Sequence, residues 1–137
     1  MSKRGKYLVI AAVALAFGGA CYVFFREDTY LFGWASDLLK AVFAKGRERT
    51  FQNEFLQFYL PDLLWGLSLS VALMAIYEPS GIGAWLCAGT AVVCGWIWEL
   101  AQWTGAVRGT GDFGDVFMYL LAGFFSLIIN KKVRETK

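Results

Sequence analysis

Apolar positions in this chain come in long blocks rather than in periodic stripes. Tyr7–Phe25, Tyr59–Tyr77 and Ile82–Trp103 each approach or exceed the roughly 20 apolar residues that one helical crossing of a bilayer requires. A fourth block, Asp115–Asn130, is slightly short and is extended by Phe113. A helix facing water would keep a polar stripe along one side, and none of these blocks has one. The pattern predicts an all-α integral membrane protein with transmembrane helices at about 7–25, 59–77, 82–103 and 113–130, forming one membrane domain over residues 1–137.

The segment between the first two blocks differs. On a helix, Gly33, Ser36, Asp37, Lys40 and Ala44 gather on one side, while Leu31, Trp34, Ala35, Leu38 and Val42 gather on the other. That predicts an amphipathic helix at about 30–44, suited to the membrane interface or to packing over the bundle. Lys45–Gln57 reads as a polar connector. Pro61 and Asp62 suit the first turn of the second span, and Glu78-Pro79-Ser80-Gly81 forms a tight turn into the third.

Charge adds an orientation. Lys3, Arg4 and Lys6 precede the first span, and Lys131, Lys132, Arg134 and Lys137 follow the last. Short basic flanks are retained in the cytoplasm, so two basic ends require an even number of crossings and an N-in/C-in topology. Against this, the connector carries Arg26, Lys40, Lys45, Arg47 and Arg49 on the outer side, and the turn at 77–81, on the inner side, has no basic residue, so the orientation rests on the two ends. In this topology Trp34, Tyr59, Trp65, Trp98 and Trp103 lie near the outer interface, and Tyr77 and Trp85 near the inner one. Gly18-Gly19-Ala20-Cys21 has the look of a lipoprotein cleavage site, but the apolar run continues through Phe25, which predicts an uncleaved span.

Composition narrows the chemistry. The net charge of +2 is too small to point to nucleic acid, and the absence of His removes His-based acid–base catalysis and the usual zinc sites. No phosphate-binding loop or nucleophile elbow is present, and no cofactor is implied. Cys21, Cys87 and Cys94 all fall within spans, where small packing residues are expected.

The third span carries the most information. Ala84, Ala88, Ala91 and Gly95 form a small-residue stripe of the kind that lets helices approach closely in lipid, and the stripe continues into Glu99 and Gln102. The fourth span repeats the arrangement with Asp115, Tyr119, Ala122 or Gly123, Ser126 and Asn130. Asp62, Glu99, Gln102, Arg108, Asp112 and Asp115 are thereby brought to one membrane surface, the outer one. Simple structural roles are open to each. Asp62 and Asp115 suit helix N-termini, Asp112 suits an N-cap, Glu99 and Arg108 can pair, and Gln102 can bond loop backbone. Their convergence in a chain poor in charge favours a shared polar pocket, since ionisable groups at membrane depth are costly.

Glu99-Leu100-Ala101-Gln102, followed by Arg108, Asp112, Asp115 and Gly123, resembles the motif of the VanZ-like family of small bacterial membrane proteins. Members typically place Glu-x-x-Gln at the end of a span, Arg in a short link, and Asp at the entry to the next span. Asn and Gly then follow at one-turn intervals. Tyr119 stands where the family usually has Asn, and Leu60-Pro61-Asp62-Leu63-Leu64-Trp65 looks like a family-style opening of the preceding span. The resemblance covers 60–123, and its specificity lies in the combined pattern, Glu-x-x-Gln alone being uninformative. It implies a cell-envelope setting in the bacterial inner membrane and, by way of the family's namesake, a link to teicoplanin-type glycopeptide resistance.

Three functions follow as expectations. The outer pocket binds an envelope ligand, such as a lipid-linked cell-wall precursor or a glycopeptide, with Arg108 on its anionic group. Alternatively, the carboxylates hold Mg²⁺ for an enzyme acting on lipid phosphates. In the third, the small-residue stripes dock a helix-packing protein partner or a second copy in a homo-oligomer.

Overall fold

The structure is a computed structural model that describes residues 1–25 and 55–135. The described residues form α1 (Lys3–Phe25), one π-helical turn (Phe55–Tyr59), α2 (Leu60–Tyr77), α3 (Ile82–Trp103) and α4 (Phe113–Glu135). Among the described residues, four helices are long and apolar enough to cross a membrane, as the blocks predict. The amphipathic segment at 30–44 lies outside the described residues.

Helix boundaries follow local chemistry. α1 begins earlier than its apolar block because Ser2 caps it: Ser2 Oγ accepts the Gly5 N–H at 3.1 Å. Lys3, Arg4 and Lys6 therefore ride on the helix instead of preceding it. α2 stops where Glu78 adopts a left-handed conformation (φ 43°) and donates its N–H to the Met74 carbonyl at 2.9 Å. α4 continues past Asn130 to Glu135, since Lys132 and Arg134 complement the negative end of its dipole. Arg134 Nη1 also donates to the Pro79 carbonyl at 2.7 Å, tying this end of α4 to the α2–α3 turn.

The helices alternate in direction. α2 lies centrally, touching α1 on one side and α3 and α4 on the other. Ser68 Oγ donates to the Ala11 carbonyl at 2.9 Å, fixing the antiparallel α1–α2 register. Tyr7 meets Asn130 at one end of the bundle, and Asp62 meets Tyr119 at the other. Both described basic runs therefore share one end, here termed the basic end, and the candidate carboxylates share the opposite, acidic end.

The apolar core occupies the half nearer the basic end, around Tyr7, Val71, Met74, Ala84, Ala88 and Val133. The α3 stripe of Ala84, Ala88, Ala91 and Gly95 is buried as expected, and it faces the chain's own helices. Trp65, Trp85, Trp96, Phe117 and Phe124 point outward, an arrangement suited to lipid. Cys87 is buried and Cys21 half-buried, but Cys94 is exposed on α3 and packs against no core.

Candidate functional site

The acidic end is assembled from the last turn of α3, the link 104–112, and the first turns of α2 and α4. Asp62 lies in the first turn of α2 and Asp115 in the first turn of α4, where the positive ends of the helix dipoles favour a carboxylate. Asp112 caps α4: its Oδ1 accepts the Gly114 N–H at 2.9 Å, and its Oδ2 accepts the Tyr59 hydroxyl at 3.1 Å. The cap expected of Asp112 is thus present, and Tyr59 joins it from the π-helical turn before α2.

Glu99 is set differently. It is almost completely buried, with 1% of its surface exposed, in the last turns of α3, where the helix dipole disfavours a negative charge. Its Oε2 accepts the backbone N–H of Asp112 at 3.1 Å, so the start of α4 supplies what the end of α3 cannot. Asp115, 8% exposed, is buried on the same inner side of the bundle. Burial of a carboxylate at membrane depth costs on the order of 2.5–3.5 kcal/mol at a helix centre. Glu99 and Asp115 lie near the ends of their helices, where the cost is smaller but still calls for a polar surrounding.

The link folds back over this end. In the amide orientation that satisfies both neighbours, Gln102 donates to the Thr110 carbonyl at 3.1 Å and accepts the Trp98 indole N–H at 2.9 Å. Gln102 therefore bonds loop backbone as expected. Gly109, at φ 136°, passes so close that an added Cβ would lie 2.7 Å from the Gln102 amide. Trp103 and Phe113 close the two ends of the link with ring centroids 4.9 Å apart. Arg108 is exposed on this link, and Asp112 is exposed beside it, while Asp62 is half-buried.

Tyr119 is the residue whose role the sequence concealed. Its ring lies in a notch between α2 and α3 where Gly95 and Gly66 leave space. A Cβ on Gly95 would fall within the ring, and one on Gly66 would lie 3.0 Å from Tyr119 Cδ1. Its hydroxyl then reaches Asp62 Oδ1 at 2.9 Å. Gly66 and Gly95, each at a helical position where a side chain would normally sit, were the available signal.

The arrangement offers acceptors in plenty and an exposed guanidinium at the edge. Among the described residues, no three of His, Cys, Asp and Glu gather closely enough to hold a metal ion. Compared with known proteins, the chain matches no protein family, no curated protein and no solved structure.

Proposed function

We propose that this chain is a VanZ-like protein of the bacterial inner membrane, in N-in/C-in topology, whose acidic end faces outward and binds a polar envelope ligand. A lipid-linked cell-wall precursor or a glycopeptide antibiotic is the class of ligand that fits. Arg108 contacts the ligand's anionic group, while Glu99, Gln102, Asp62, Asp112 and Asp115 shape the polar surface beneath it.

The observation that carries this reading is the burial of Glu99 under a link that bears Arg108 and is tied down by Gln102. A carboxylate kept at membrane depth, with a structured loop above it, is more than helix capping requires. The basic flanks support the orientation and the Glu-x-x-Gln, Arg and Asp spacing supports the family. The reading as a helix-docking subunit loses its main argument, because the α3 stripe is covered by the chain's own helices.

The test is to purify wild type and Arg108→Ala in mild detergent and identify co-purifying lipids by native mass spectrometry. A defined lipid-phosphate species is expected in the wild type and not in the variant. Bulk phospholipid alone in both samples would sink the proposal.

A further inference from the structure

At the end of the bundle opposite the carboxylates, two basic runs from the two ends of the sequence meet. Tyr7 Oη donates to Asn130 Oδ1 at 2.6 Å, a buried contact that fixes the start of α1 against the end of α4. Lys3 lies one turn before Tyr7 on the same face of α1, and Arg134 lies one turn after Asn130 on the same face of α4. Because the two helices are antiparallel, both cations emerge just beyond the contact. Lys3, Arg4, Lys131, Lys132 and Arg134 are exposed there, and Lys6 is half-buried.

Setting topology needs only the number of cations on a side, not their arrangement. Here a buried hydrogen bond brings the basic ends of two helices together, and Arg134 is held in place by the Pro79 carbonyl. Like charges gathered in this way repel unless an anion lies among them. Among the described residues, the acids at this end, Glu78 and Glu135, are fewer than the cations. These cations stand at the ends of two spans, the height of the lipid phosphates. Exposed Leu8, next to Tyr7 on α1, offers an apolar surface for an acyl chain.

We propose that the basic end is a binding site for the headgroup of an anionic phospholipid, whose phosphate is held between the start of α1 and the end of α4. This site is separate from the acidic end and stands or falls independently of what binds there.

Delipidated protein in mild detergent is titrated with phosphatidylglycerol or phosphatidylcholine of matched chains, with bound lipid counted by native mass spectrometry. Wild type is expected to bind phosphatidylglycerol more tightly. Lys3→Gln and Lys131→Gln are each expected to weaken that binding about fivefold, the factor for one cation at a membrane surface. Thermal unfolding should be unchanged in both single variants, which ties any loss of binding to the charge and not to misfolding. Equal affinity of wild type for the two lipids, or wild-type affinity in both single variants, overturns the proposal. Displacement of phosphatidylglycerol by millimolar inorganic phosphate overturns it too, because the site would then recognise free phosphate and not a lipid.

Discussion

The Tyr119 hydroxyl donates a 2.9 Å hydrogen bond to Asp62 Oδ1, joining the second turn of α4 to the first turn of α2 across a notch left by Gly66 and Gly95. A single side chain thus ties together three helices and partners a carboxylate that would otherwise face the bundle with one donor fewer. Removing the hydroxyl alone separates these roles. Tyr119→Phe keeps the ring in its notch but withdraws the donor from Asp62. An interhelical hydrogen bond in a membrane bundle contributes about 0.6 kcal/mol on average, with a maximum near 1.7. The variant is expected to lower the thermal unfolding midpoint in detergent, and Asp62→Asn should lower it less. A midpoint equal to wild type in Tyr119→Phe would mean the bond carries no stability.

The notch also makes a prediction about size. In Gly95→Ala the new methyl and the Tyr119 ring compete for the same space. Overpacking of this kind costs about 1–3 kcal/mol. Pairing Gly95→Ala with Tyr119→Leu removes the ring, so the double variant should be less destabilised than the sum of the two singles. Additive unfolding midpoints across this cycle would show that the two positions do not share a space.

Much of this fold is legible in the sequence, because lipid imposes a simple rule on span length. Ile82–Trp103 is found as the apolar block places it, and the stripe from Ala84 to Glu99 is buried. The ends of α1 and α4 were harder to see. Ser2 and Arg134 extend those helices through a cap and an interhelical bond, which hydropathy does not register. The acidic end was legible as a gathering of residues but not as a network. Tyr59 and Tyr119 are aromatic in composition yet act as donors to Asp112 and Asp62, and which carboxylate each reaches depends on helix register.

Asp112 serves as a cap, so its replacement should follow capping rules. Asp112→Asn retains an acceptor for the Gly114 N–H and should stay within a few tenths of a kcal/mol of wild type, whereas Asp112→Ala should lose about 1 kcal/mol. Tyr59→Phe should add little on top of Asp112→Ala, because its acceptor is already gone. Unfolding midpoints of the four proteins decide the matter. Equal losses in Asp112→Asn and Asp112→Ala would argue that the charge, and not the cap, is what the position contributes.

Tyr7 and Asn130 close the opposite end, and their coupling can be measured by a double-mutant cycle. Tyr7 Oη and Asn130 Oδ1 are both buried, so each single variant, Tyr7→Phe or Asn130→Ala, leaves a partner group without its bond. In the dry core of a water-soluble protein that penalty would be about 1–3 kcal/mol. Within a membrane the released group finds other partners, and interhelical hydrogen bonds average only about 0.6 kcal/mol, with a maximum near 1.7. The bond here is short at 2.6 Å and lies at the edge of the span, where α1 has little other contact with α4. A coupling energy toward the upper part of that range is therefore expected. The same cycle should speed hydrogen exchange in the first turns of α1 more than in α2, since α2 keeps its own contacts with α3 and α4. A coupling near zero, with exchange in α1 unchanged, would show that α1 is held by α2 alone and that the two basic runs are neighbours without being joined.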